Sequence, residues 1–252
     1  MSYIANAPEK GSGYLAVFHV ANREQPLKDS TGVFTISEDG NLMVLNSQKH
    51  TLWSSNMSNI IHPNSSIAQL LDCGVLVLKD NTTGDTLWES FQNPSDTFLP
   101  KMKLQTNPET GERVKLTSWK SPSDPTIGSF SVNIERPDVP EAMVFNGSKP
   151  YWRSGPWNGR VFLGIYQMNT RYLTGFYLGK EDDGTSYITY DKGDQSYFGL
   201  LKLNSDGKLK IVGWVNKAEY GPWIFQDSKC DVYGYCMNFG ICNRQNSTKL
   251  AV

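Results

Sequence analysis

The chain has 252 residues, with 24 Lys and Arg against 25 Asp and Glu, which gives a net charge of −1. This length allows one large domain or two modest ones, and two units are favoured. The near-neutral charge disfavours nucleic acid as a partner, because proteins that bind it neutralise phosphates with a basic surface. Short apolar runs are separated by 22 Gly and 13 Pro, and 12% of the residues are aromatic. This pattern predicts an all-β protein made of many short strands.

A strand, turn and strand pattern occurs twice in the first hundred residues. Residues 34–45 (FTISEDGNLMVL) and 68–79 (AQLLDCGVLVLK) lie 34 positions apart, and each copy continues into a third strand containing Trp53 or Trp88. The apolar run at 14–20 predicts the last strand of an incomplete first copy. A period of this length marks a unit that buries its apolar face only against its neighbours. We therefore expect three small sheets around one axis, with the tryptophans directed toward it.

Here the sequence resembles a known family. The threefold pattern is similar to the bulb-type mannose-binding lectin domain, a β-prism. Further motifs, in the order in which they occur in the ectodomains of plant S-domain (G-type lectin) receptor-like serine/threonine kinases and in S-locus glycoproteins, lie at residues 20–27, 87–104, 116–125, 151–159 and 229–243. The resemblance implies part of a ligand-binding ectodomain, and the unusual first and last residues predict that it is truncated at both ends.

The domain organisation follows from this resemblance. It implies a bulb-type lectin β-prism with an incomplete first repeat at 1–106, and an antiparallel β S-locus glycoprotein domain at 107–228. A truncated EGF-like module, half of the usual unit, is implied at 229–252. Alternating apolar and polar residues independently predict antiparallel strands at 129–134, 185–190 and 208–214.

The sugar-binding positions of the lectin family are largely replaced. The family's mannose site resembles Gln-x-Asp-x-Asn-x-Val-x-Tyr, and residues 37–45 keep only Asp39 and Asn41 of that pattern. Residues 71–79, the equivalent stretch of the next copy, keep neither the carboxylate nor the amides. Asp39 and Asn41 are therefore the candidate ligand-binding residues, although capping of a tight hairpin turn is the favoured role for both.

Glycosylation and disulfide signals favour a secretory protein. Acceptor sequences Asn-x-Ser/Thr occur in polar stretches at Asn56, Asn64, Asn81, Asn146 and Asn246. Cys230, Cys236 and Cys242 are spaced unlike a zinc site or a redox motif. The EGF-like resemblance implies a Cys230–Cys242 disulfide and a partner for Cys236 beyond the chain. Cys73 is expected to be an extra free thiol, with a Cys73 to Cys236 bridge left open.

The sequence predicts no catalytic residue, metal site or cofactor. Its three histidines are scattered, and it contains no nucleophile elbow, phosphate-binding loop or protein-kinase motif. A glycosidase requires only two positioned carboxylates, and 25 acidic residues leave that alternative open.

The favoured interpretation is a non-catalytic recognition module outside the cell or at its surface. By resemblance it binds a protein, peptide or glycan, in a role of the self-incompatibility (pollen recognition) or defence type, with a receptor dimer as a further expected partner. A free secreted S-locus-glycoprotein-like binder or decoy is the alternative. The sequence has no apolar run long enough to span a membrane and no signal-peptide pattern at its start.

Overall fold

The computed structural model describes residues 2–6, 15–27, 29–135, 138–165, 168, 175–191, 197–215, 218–226, 228–237, 240–243 and 248–251. In these residues the regular structure is antiparallel β-strand with a few short 3-10 turns, which confirms the all-β prediction. The chain forms two compact units. One is Met1–Ser95 with Pro125–Ile127, and the other is Asp96–Asp124 with Gly128–Val252.

The described residues of the first unit form three small sheets. One has two strands, β1 (Ser2–Asn6) and β2 (Leu15–Val20). The second has three strands in sequential order, β3 (Val33–Ile36), β4 (Leu42–Leu45) and β5 (Thr51–Ser54). The third repeats that order with β6 (Ser66–Leu70), β7 (Leu76–Asp80) and β8 (Thr86–Glu89). The predicted repeat is therefore a repeat of three-stranded meanders.

Glycine sets the first hairpin turn of each meander. The amide of Gly40 donates to the Ser37 carbonyl at 2.9 Å, and the amide of Gly74 donates to the Leu71 carbonyl at 2.8 Å. Both glycines have positive φ angles, +83° and +89°. A side chain at Gly40 would also meet the Cα of Pro63 at 2.9 Å. Glycine is therefore required there both by the backbone conformation and by the close approach of a neighbouring segment.

The two meanders share one apolar core. The buried members of this core come from both copies and are Leu42, Leu76, Leu78 and Trp88. Phe34, Ile36, Trp53, Met57 and Leu87 pack against them. The rings of Trp53 and Trp88 meet edge to face, with centroids 5.5 Å apart. The expectation that these tryptophans meet in a common core is confirmed, while the side chains of residues 14–19 lie outside the described side chains.

Strand β6 forms the edge of the third sheet. Four of its five side chains are exposed, and Ile67 and Leu70 are among them. Its backbone pairs only with β7 in that sheet, starting from the Ser66 and Asp80 pair. An edge strand of this kind leaves one row of backbone hydrogen-bonding groups without a partner strand.

Where the structure describes the second unit, it forms three four-stranded sheets and a terminal hairpin. The first sheet joins β10 (Leu104–Thr106), β11 (Arg113–Val114), β16 (Phe176–Lys180) and β17 (Ser186–Tyr190). The second is β12 (Leu116–Ser121), β13 (Asp124–Glu135), β14 (Glu141–Asn146) and β15 (Lys149–Pro156). The third joins β9 (Thr97–Phe98), β18 (Tyr197–Leu203), β19 (Leu209–Val215) and β20 (Ala218–Ile224), and β21 (Gly240–Asn243) pairs with β22 (Thr248–Ala251).

Aromatic side chains fill the interior of this unit. Trp152 is buried and stacks on Phe225 with centroids 6.2 Å apart, and buried Phe162 meets Trp157 edge to face. The predicted strands at 129–134, 185–190 and 208–214 overlap β13, β17 and β19, and the last two begin one residue later than predicted. The predicted domain boundary at residue 106 remains a prediction, and the compact units divide earlier, between Ser95 and Asp96.

Candidate functional site

The candidate sugar residue Asp39 lies in the hairpin turn between β3 and β4. Its carboxylate accepts hydrogen bonds from the Ser37 hydroxyl, from the backbone amide of Asn41 at 3.3 Å and from the side-chain nitrogen of Asn41 at 3.2 Å. These bonds, led by that from Ser37, hold the pKa of Asp39 below its ordinary value. Asp39 is itself exposed, so its carboxylate organises the turn at the surface.

Asn41 is buried, and its side-chain amide makes all of its hydrogen bonds with other groups of the protein. The side-chain oxygen accepts from the Ser55 hydroxyl and from the Met57 backbone amide, both at 2.7 Å. The side-chain nitrogen donates to the Met57 carbonyl at 3.1 Å as well as to Asp39. An amide offers two donor hydrogens and one acceptor oxygen with two lone pairs, so no hydrogen-bonding capacity is left over. Asn41 thus fastens the start of β4 to the segment that follows β5.

The second copy of the repeat has the equivalent serine hydrogen bond, but it lacks the asparagine side chain. The Ser55 hydroxyl accepts from the Leu42 amide at 3.1 Å, and the equivalent Ser90 hydroxyl accepts from the Leu76 amide at 3.0 Å. Val75 occupies the position equivalent to Asn41 and is buried. Sequence reasoning did not identify the two serines, although each ends the repeated stretch that contains a tryptophan. In both copies the serine makes the same hydrogen bond to the backbone amide at the start of the middle strand.

We expect an immobilised-mannose column not to retain the protein. A sugar hydroxyl would have to displace Ser55, Met57 or Asp39 from the Asn41 amide, and an unpaired buried polar group costs about 1–3 kcal/mol. The measurement is the elution volume on mannose-agarose beside an unmodified agarose column. Retention that free mannose, but not free galactose, reverses would contradict this prediction.

Asp80 forms a second polar cluster in the lectin unit. Its buried carboxylate accepts from Nδ1 of His62 at 2.8 Å and from the Thr82 amide at 2.7 Å. These bonds, with that from His62 the largest influence, hold the pKa of Asp80 below its ordinary value. The hydroxyls of Thr82 and Ser65 are joined at 2.9 Å beside it. The cluster ties the 3-10 turn at Pro63–Ser65 to the end of β7.

Because the folded pKa of Asp80 is depressed, its ionised form stabilises the folded state. This contribution is present above the unfolded pKa of about 3.9 and is lost as the pH falls through the lower, folded value. The urea midpoint of the lectin unit should therefore fall on acidification below about pH 4. The D80N variant should be less stable at pH 7 and should show a smaller change on acidification. An unchanged acid dependence in D80N would contradict this assignment.

The glycosylation candidates are accessible wherever the structure describes them. Asn56, Asn64, Asn81 and Asn146 are all exposed, and Asn246 lies outside the described residues. Asn64 and Asn81 lie close together, because the Asn81 amide donates to the carbonyl of Ser65 at 2.9 Å. Glycosylation at these positions remains a prediction.

The cysteine-rich end contains one disulfide within the described residues. It joins Cys230 to Cys242, the pair implied by the family resemblance, with Cα atoms 5.6 Å apart. Cys73 and Cys236 are free thiols. The end is anchored to the second unit, since the Tyr233 amide donates to the Tyr151 carbonyl at 2.6 Å. The EGF-like nature of this segment remains a prediction.

Neither a metal-binding cluster nor a membrane-spanning helix is present among the described residues. In that part of the chain, no three His, Cys, Asp or Glu side chains are grouped so that they could hold a metal ion. No helix there has the length and hydropathy required to cross a bilayer.

Comparison with known proteins identifies two domains along the chain. Residues 16–120 match the model of the D-mannose binding lectin family, and residues 152–251 match that of the S-locus glycoprotein domain.

The curated relatives combine the same regions in one polypeptide. The G-type lectin S-receptor-like serine/threonine-protein kinase B120 of Arabidopsis thaliana is 39% identical over 242 residues, covering 92% of this chain and 28% of the relative. The G-type lectin S-receptor-like serine/threonine-protein kinase At1g61480 of the same plant is 41% identical over 227 residues, covering 90% of this chain and 28% of the relative. The chain thus spans little more than a quarter of each. Over both regions the chain is similar to the G-type lectin S-receptor-like kinases, and it comprises a D-mannose binding lectin domain followed by an S-locus glycoprotein domain.

Proposed function

We propose that the chain is a non-catalytic recognition module, forming part of the extracellular ligand-binding region of a receptor-like kinase. The observation that carries this proposal is the succession of a D-mannose binding lectin domain and an S-locus glycoprotein domain in a chain related to receptor-like kinases. The ligand is an extracellular protein, peptide or glycan, and binding is passed on through dimerisation of the complete receptor.

The surface chemistry supports a location outside the cell. Four acceptor asparagines are exposed, as the glycosylation machinery of the secretory pathway requires. The Cys230–Cys242 disulfide is of the kind that forms and persists in the oxidising conditions of that pathway and of the cell exterior. These features are independent of the family comparison, and they favour the same compartment.

The lectin unit supports recognition by a surface other than the mannose positions of its family. The Asn41 amide is committed to the protein's own groups, and Val75 replaces it in the next copy. The prism is then a scaffold that displays side chains, and the ligand contacts come from other surfaces of the chain.

Secretion and binding of the chain test this proposal together. The chain is expressed in plant cells behind an added secretion signal, and its glycans are released with peptide-N-glycosidase A in ¹⁸O-labelled water. We expect labelled deamidation at Asn56, Asn64, Asn81 and Asn146. The secreted protein should then bind saturably to a fraction of plant extracellular fluid, sorted into proteins, peptides and polysaccharides, in biolayer interferometry.

A reduced and alkylated sample of the same protein is the control, and it should lose the binding. Retention inside the cell without glycan addition would contradict the proposed location. Hydrolysis of chromogenic glycosides would point to a different function if substitution of one carboxylate abolished it. The chain would then be a catalyst and not a recognition module.

A further inference from the structure

A polar cleft of about 460 Å³ opens on the second unit, and its lining includes none of the lectin positions discussed above. Its volume lies within the range of small-molecule binding sites. Three segments that are distant in sequence form its walls: the start of β9, the end of β12 and the β18–β19 hairpin. The residues that line it are Asp96, Trp119, Ser121, Pro122, Lys202, Asn204, Ser205, Asp206 and Lys210.

One wall of the cleft is formed by three side chains that contact one another. The Lys202 ammonium lies 3.2 Å from the carboxylate of Asp96 and 5.0 Å from the ring centroid of Trp119. Asp96 is only 1% exposed, so its charge requires this cation nearby. The indole of Trp119 and the ammonium together hold one amphipathic wall in place.

A second lysine, Lys210, contributes a positive charge to the same wall. Lys210 lies directly opposite Lys202 in the antiparallel pairing of β18 with β19, so both side chains emerge on one face of the sheet. Two like charges in this position repel each other. Asp96 neutralises Lys202, whereas no described residue forms an ion pair with Lys210. Among the described residues that line the cleft, Lys210 is therefore the cation available to an anionic group.

The rim supplies neutral and acidic hydrogen-bonding groups. Asn204, Ser205 and Asp206 lie in the tight turn that joins β18 to β19, which is closed by the Asn204 amide bonding to the Lys208 carbonyl at 2.9 Å. Ser121 lies at the end of β12 on another side. An aromatic wall, several hydroxyl and amide groups and one free cation correspond to the chemistry of a sugar ring that carries a carboxylate.

We propose that this cleft binds an acidic saccharide of the uronate class. The carboxylate of the sugar pairs with Lys210, its hydroxyls bond to the Asn204–Asp206 turn, and an apolar face of the ring packs against Trp119. The inference rests on the proposed recognition function, and it assigns that function a ligand class and a place on the second unit.

The test measures binding of tri-galacturonate to the secreted chain by isothermal titration calorimetry, beside the fully methyl-esterified trisaccharide. The ester has the same ring and hydroxyls but no charge, so we expect it to bind at least about tenfold more weakly, as the loss of a charged hydrogen bond predicts. The K210Q variant should weaken tri-galacturonate binding by a similar factor. K180Q, which removes an exposed lysine in β16 outside the cleft, should leave the affinity unchanged.

The W119L variant distinguishes the contribution of ring packing to binding from the contribution of the charge. It should weaken binding of both the acid and the ester, and its circular dichroism spectrum and melting temperature show whether the fold is retained. Equal affinity for acid and ester, or no loss in K210Q, would overturn the proposal. If tri-galacturonate fails to bind while another extracellular ligand binds saturably, this site is wrong and the recognition function stands. If no ligand of any class binds, both fail.

Discussion

Replacing Trp88 by alanine is expected to lower the free energy of unfolding of the lectin unit by about 3–5 kcal/mol. Trp88 is 8% exposed and lies in the core that both meanders share, so its removal opens a cavity between two sheets. Because each meander buries its apolar face only against the other copies, this cavity weakens the whole unit. Urea unfolding followed by circular dichroism, with the two units resolved by their separate transitions, measures the loss.

The control is I61A, which truncates a side chain that is 83% exposed in the same unit. It should change stability by no more than about 0.5 kcal/mol. A double-mutant cycle with W53A adds a second comparison, since an edge-to-face aromatic pair contributes about 0.5–1.5 kcal/mol beyond its buried area. A W88A variant as stable as I61A would show that the two meanders do not depend on a shared core.

The second large effect is expected from N41L, which keeps the branched arrangement of side-chain heavy atoms and removes the amide. The Ser55 hydroxyl and both backbone groups of Met57 would lose their partners, and we expect a loss of about 2–4 kcal/mol, since each unsatisfied buried group costs about 1–3 kcal/mol. The same urea titration measures the effect. The physical reason is the asymmetry of hydrogen bonding, in which a buried group without a partner costs more than a bond contributes.

The matched variant is D39A, at the neighbouring candidate position. Asp39 is exposed, so water can replace its bonds, and the expected loss of stability is much smaller than that of N41L. If N41L and D39A both left stability unchanged, the structural role of the pair would be excluded. Their positions would then be free for a ligand.

The repeat was predictable from sequence because it is a property of local pattern. The 34-residue spacing, the Gly-centred turns at Gly40 and Gly74 and the paired tryptophans required no knowledge of distant contacts. They were sufficient to predict that Trp53 and Trp88 meet, as they do at 5.5 Å. A unit that is unstable alone must place its apolar residues against its own copies, so the period itself indicates the contact.

The polar sites were predictable only in part, because they depend on residues that the fold brings together. Asn41 is in the family pattern, but the bonds that occupy its amide come from Ser55 and Met57, more than ten positions away. The cleft of the second unit combines Asp96 and Trp119 with the β18–β19 hairpin. No local pattern links these segments, and the pairing of Lys202 with Lys210 follows only from strand register.

The exposed edge strand β6 has a practical consequence for the choice of expression host. Asn64 lies just before β6, and Asn81 follows the strand that pairs with it, so both acceptors lie at the same end of this edge. Carbohydrate chains attached there would act as gatekeepers, keeping a second molecule from adding its own strand beside Ile67 and Leu70. Material produced in bacteria, which lacks these chains, should self-associate through β6, and a lysine at position 67 should restore a monodisperse preparation.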